Sequence, residues 1–99
     1  MILVIDVGNT NTVIGVYEGK KLLHYWRMKT DKERASDEYG AFFITMFRNN
    51  NLDTGSIEAV ISSSVVPPVM YSLEHSIRSY LGLDLIVIGP GIKTGINIK

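Results

Sequence analysis

Three short apolar runs, each closed by turn residues, occupy the first 28 residues, and beyond them the hydrophobic period changes. Ile2-Leu3-Val4-Ile5-Asp6-Val7 is stopped by Gly8-Asn9, and residues 12–17 (Thr-Val-Ile-Gly-Val-Tyr) are stopped by Glu18-Gly19-Lys20-Lys21. Residues 22–28 form the third run, heavy in large side chains (Leu23, Tyr25, Trp26, Met28). Short β-branched or aromatic runs bounded by Gly and Asn read as strands. Connections this short leave no room for a crossover, so the three runs form an antiparallel meander.

The rest of the chain alternates. Ser36 is a good N-cap, and Asp37 and Glu38 place negative charge where a helix dipole favours it. Tyr39, Phe42, Phe43, Met46 and Phe47 fall on one helical stripe, which Asn49-Asn50-Asn51 ends. That stripe is core packing on its periodicity. Residues 57–61 predict a fourth strand leading into Ser62-Ser63-Ser64. Pro67-Pro68 opens a second helix with the stripe Val69, Leu73, Ile77 and Tyr80/Leu81, and Gly82 suits its C′ position. Leu85–Ile88 is a fifth strand. The order β-β-β-α-β-α-β predicts an α/β fold, a mixed sheet with helices on its faces. The ribonuclease H-like fold has this order, as does each half of the sugar-kinase and actin-like ATPases.

Ninety-nine residues with 45% hydrophobic content suffice for one cored domain. Residues 1–88 are expected to form it; residues 89–99, with three glycines and no obvious partner strand, read as a loop leading to something further. Ten Lys+Arg balance ten Asp+Glu, which argues against a module that binds nucleic acid through phosphate contacts. The absence of cysteine excludes disulfides and thiol catalysis. No apolar run approaches the roughly 20 residues of a membrane helix, and the N-terminus lacks a basic n-region. A cytoplasmic protein is expected.

The segment Asp6-Val7-Gly8-Asn9-Thr10-Asn11-Thr12 carries the strongest chemical signal. A carboxylate behind four apolar residues is costly without a partner or a task, and the turn after it presents N–H groups and hydroxyls suited to phosphate oxygens. Asp6 itself suits Mg²⁺, directly or through water. A plain hairpin turn is the alternative. Ser62-Ser63-Ser64 lies at a strand end, where open α/β sheets place ligands; it serves equally as an N-cap segment before the second helix. Gly89-Pro90-Gly91-Ile92-Lys93-Thr94-Gly95 lacks the glycine that a P-loop places immediately before its lysine. His24 and His75 have no neighbours at metal-ligand spacing.

These residues resemble the type III pantothenate kinases. Asp6-Val7-Gly8-Asn9-Thr10 is similar to the family's first phosphate motif. Trp26-Arg27, Ser36-Asp37-Glu38-Tyr39, Ser64-Val65-Val66-Pro67 and Gly89-Pro90-Gly91-Ile92-Lys93-Thr94-Gly95-Ile96 follow in the family's order. The resemblance implies a lobe of the sugar kinase, heat-shock protein and actin superfamily, in which two ribonuclease H-like lobes enclose ATP. It implies transfer of the ATP γ-phosphate to pantothenate, the first step of coenzyme A biosynthesis, with Mg²⁺ and a monovalent cation (K⁺ or NH₄⁺), by a homodimer with no nucleic-acid or membrane partner. Asp6, Val7, Gly8, Asn9, Thr10, Asn11, Thr12 and Val13 become the ATP-phosphate segment, with Asp6 organising the metal. Family members are longer than this chain. Their catalytic aspartate, in a Gly-Ala-Asp-Arg motif, and their second phosphate loop, Asp-x-Gly-Thr, have no counterpart here. The expectation is therefore an N-terminal lobe with no catalytic residue of its own, inactive by itself. Some family members were first described as Bvg accessory factor, which leaves a non-enzymatic transcriptional regulator as one alternative; a ribonuclease H-like nuclease is another.

Overall fold

The computed structural model describes residues 1–63 and 66–88. Five strands and two helices follow the expected order: β1 (Ile2–Val7), β2 (Asn11–Glu18), β3 (Lys21–Lys29), α1 (Ser36–Asn49), β4 (Ala59–Ser63), α2 (Pro67–Ser76) and β5 (Leu85–Ile88). They form one sheet in the order β3-β2-β1-β4-β5. The meander β1-β2-β3 is antiparallel, whereas β4 joins β1, and β5 joins β4, in parallel. Each parallel pairing follows a helix, because a chain leaving one strand end must travel back along the sheet before pairing in parallel.

Gly19, at φ 61°, begins the two-residue turn between β2 and β3. A left-handed first position followed by an ordinary second one is the II′ pattern that matches strand twist. From that turn Glu18 pairs with Lys21 and Tyr17 with Leu22, but Val16 pairs with His24, so Leu23 is an extra residue in β3. This bulge shifts the rest of the hairpin by one residue.

Alternation along β1 sends Leu3, Ile5 and Val7 to one face and Val4 and Asp6 to the other. The first face is the core. Leu3, Ile5, Ile14, Val16 and Val60 from the sheet meet Tyr39, Phe43 and Phe47 of α1 and Val69 and Leu73 of α2 in one cluster. Both helices thus share a face, and Trp26 of β3 stacks on His24 and packs against Phe47 at its rim.

Helix and strand ends depart from the sequence expectation in three places. Ala35, not Ser36, is the N-cap of α1; Glu38 returns its carboxylate to the Ala35 N–H at 2.7 Å. Ser36 lies inside the helix, its hydroxyl 3.2 Å from Nδ1 of His75. The fourth strand runs two residues later than its apolar pattern suggests. Ile57 is buried from the loop after a short 3₁₀ turn at Thr54–Ser56, and Ser62 and Ser63 continue the ladder instead. Neither serine caps α2, whose N-cap is Val66; Ser64 lies outside the described residues. Finally, α2 widens into a π-turn at Ile77–Leu81 before Gly82, whose φ of 68° supplies the expected left-handed stop. The wider turn breaks the stripe's phase: Ile77 stays buried while Tyr80 leaves the core. Its ring lies where a Cβ on Gly40 would be, and its hydroxyl donates to Asp37 at 2.9 Å. That bond holds the Tyr80 proton and raises its pKa. Burial raises that of Tyr39, with the Arg34 guanidinium over its ring opposing the shift.

Candidate phosphate-binding turn

The turn between β1 and β2 lies at the carboxyl end of the parallel strands β1 and β4. Gly8 donates its N–H to the Asn11 carbonyl at 3.0 Å, closing the hairpin around Asn9 and Thr10. A Cβ on Gly8 would stand 2.9 Å from that same oxygen, so only glycine fits without a shift of backbone. No residue of the turn has a positive φ, so it is not an αR–αL nest. What it offers instead is exposure. Among the described residues no hydrogen bond engages the backbone N–H of Asn9 or Thr10, and the side chains of Asn9, Thr10 and Asn11 are exposed.

Asp6 occupies the sheet face opposite the helices. Its side chain is exposed, so the burial cost expected of a carboxylate behind an apolar run does not arise. Strand alternation explains this: the apolar neighbours Ile5 and Val7 point to the other side. Asp6 nevertheless has a partner. Ser63, on β4, donates its hydroxyl to Oδ1 of Asp6 at 3.1 Å and accepts the Val7 N–H at 3.0 Å.

Thr12 and Val13, the second and third residues of β2, differ from the exposed turn. Val13 is half-buried and pairs with Asp6 across the ladder. Thr12 is buried, its hydroxyl 2.8 Å from that of Thr30. The Thr30 hydroxyl donates its one proton to the Gly8 carbonyl at 2.7 Å, so Thr12 is the donor in the Thr12–Thr30 contact. Thr30 also donates its backbone N–H to Thr10 at 2.9 Å. Three bonds therefore join Thr30 to the turn from the far end of β3. Nothing in the motif itself points to Thr30, although the β2–β3 register does once the Leu23 bulge is counted.

Asp6, Asn9, Thr10 and Asn11 are thus exposed, while Val7 and Thr12 face inward and Gly8 is half-buried. Among the described residues no three His, Cys, Asp or Glu side chains gather as a metal cluster. A single carboxylate with one oxygen uncommitted suits Mg²⁺ that arrives with phosphates and keeps several waters. Unengaged N–H groups beside it suit phosphate oxygens. The Gly-rich segment 89–99 lies outside the described residues.

The strand order, with both helices on one face of the sheet, defines a ribonuclease H-like fold. The chain is similar to a Porphyromonas gingivalis protein assigned as an N-acetylglucosamine kinase (21% identity, TM-score 0.63), over 90% of this chain and 34% of that one. It is similar also to a ROK hexokinase from Thermus thermophilus (16% identity, TM-score 0.61), over 89% of this chain and 34% of that one. RuvC from Thermus thermophilus matches at 22% identity and TM-score 0.58, over 90% of this chain and 61% of RuvC. At these identities the likeness is one of fold, shared by kinases and a protein of another kind. The chain spans about a third of the two kinase structures. The chain belongs to the type III pantothenate kinase family, whose model matches residues 2–99. No described helix is long and apolar enough to cross a membrane.

Proposed function

We propose that the chain is the N-terminal lobe of an ATP-dependent kinase that phosphorylates pantothenate, entering coenzyme A biosynthesis, and that its β1–β2 turn holds the ATP phosphates. Family membership over residues 2–99 supports the reaction, and the exposed group of Asp6 with Asn9, Thr10 and Asn11 is the observation that carries the site. Phosphoryl transfer depends mainly on positioning and on neutralising charge. Mg²⁺, when bound, supplies charge neutralisation at the phosphate oxygens. Asp6, at the end of β1, would hold the metal and its waters. Asn9 and Thr10 offer N–H donors to the phosphates, and Thr30 and Gly8 keep the turn in one shape, so little ordering is required on binding. The proton acceptor for the pantothenate hydroxyl, the second phosphate loop and a monovalent-cation site belong to segments other than residues 1–88. Homodimeric assembly in the cytoplasm is part of the same reading.

The test is pantothenate-dependent ADP release with Mg²⁺ and K⁺, run on the full-length kinase and on residues 1–99 side by side. Turnover is expected from the former. The latter is expected to show a folded circular dichroism spectrum and no turnover. Pantothenate-dependent turnover by residues 1–99 at a rate typical of kinases would mean that this lobe holds the whole active site. Failure of the full-length protein to use pantothenate would overturn the substrate.

A further inference from the structure

We propose that Ser63 is a positioning residue for Asp6, an inference that rests on the reading of the β1–β2 turn given above. Ser63 lies on β4, 57 residues from Asp6 in sequence, and the parallel pairing of β1 with β4 brings them together. Its hydroxyl has one proton and gives it to Oδ1 of Asp6 at 3.1 Å; it accepts the Val7 N–H at 3.0 Å. The oxygen is therefore oriented by the backbone of the strand that carries the carboxylate. The bond it makes selects one Asp6 rotamer and leaves Oδ2 open. An exposed aspartate at a strand end otherwise samples several rotamers, and each visit away from the productive one lowers its hold on a metal's waters. Ser63 is half-buried, and its hydroxyl is hydrogen-bonded to Asp6 and to the Val7 N–H, so Asp6 is the functional side chain it holds. Partners of this outer kind, when removed, typically cost about 10-fold or more in metal affinity or activity.

The experiment is calorimetric titration of the full-length kinase with ATP, in Mg²⁺ and again in EDTA. Ser63→Val and Ser63→Thr are compared because they differ little in shape, and only the second keeps a hydroxyl; Ser63→Ala is measured in parallel in case valine is too large. Ser63→Val and Ser63→Ala are expected to bind ATP about 10-fold more weakly in Mg²⁺, with metal-free ATP binding unchanged. Ser63→Thr is expected to recover most of the loss. In an Asp6→Asn background, Ser63→Val should add nothing, since coupled residues are not additive. Equal losses with and without Mg²⁺, an additive loss in the double variant, or no rescue by threonine would overturn the proposal. So would failure of both Val and Ala variants to fold, which assigns Ser63 a structural role. If Asp6→Asn weakens Mg-ATP binding and Ser63→Val does not, this inference alone falls. If Asp6→Asn binds Mg-ATP normally, the reading of the turn falls with it.

Discussion

Under the proposed function, Asp6→Asn in the full-length protein is expected to lower kcat for pantothenate phosphorylation by about 100-fold or more, the scale of losing one preorganised electrostatic group. Asparagine keeps the shape and the acceptor oxygen for Ser63, so the hydrogen bond at Oδ1 survives. What it removes is the charge. An amide oxygen attracts a divalent cation and its waters far more weakly than a carboxylate, and the described residues offer no cluster of three potential ligands to compensate. Because Asp6 is exposed and outside the helix-side core, the same change should leave the thermal midpoint nearly unmoved. Steady-state kinetics at saturating Mg²⁺, with a melting curve on the same sample, checks both halves. Wild-type kcat would remove Asp6 from the phosphate site.

The largest stability effect is expected at Phe43. Its ring is fully buried in the core cluster that joins the sheet and both helices, with Phe42 edge-on beside it. Phe43→Ala should cost about 3–5 kcal/mol, from lost transfer free energy and the cavity left behind. That is a large share of the roughly 5–15 kcal/mol available to a domain. Denaturant titration should show the midpoint falling with little change in slope. An unchanged midpoint would mean that α1 does not dock on the sheet through this face.

Where the sequence was legible, one element's pattern decided its state. The limits of β1 and β5 follow from short apolar runs, broken in β1 only by Asp6, with turn residues behind them. The α1 stripe named its three buried aromatics because nothing disturbs the 3.6-residue period. What escaped depended on neighbours. Ile57 is apolar for the core, not for a strand, and Ser62 and Ser63 pair as strand because β1 and β5 flank them. The π-turn at Ile77–Leu81 moved Tyr80 off a stripe that Ile77 still obeys.

The candidate site divides the same way. Asp6, Gly8 and the exposed turn can be read from a local run. Thr30 cannot: counting back from the Gly19 turn without the bulge sets Lys29 opposite Thr10, and only the extra Leu23 brings Thr30 there. Ser63 drew attention as a strand end, but its bond to Asp6 needs the parallel β1–β4 pairing, which no local pattern states. The inward turn of Thr12 follows from alternation once β2 is extended back to Asn11.

On the proposed reading, the ATP phosphates rest on the β1–β2 turn. Nitrogen-15 NMR of residues 1–99 titrated with Mg-ATP tests it directly, because weak binding still moves amide signals. One jaw of a two-lobed site should bind with an affinity in the millimolar range, about −4 kcal/mol. The amides of Asn9 and Thr10 should shift most, Gly8 and Asn11 less, and the α1–α2 side not at all. Asp6→Asn should abolish these shifts. Shifts centred elsewhere on the lobe, or an undisturbed turn at saturating Mg-ATP, would contradict the account.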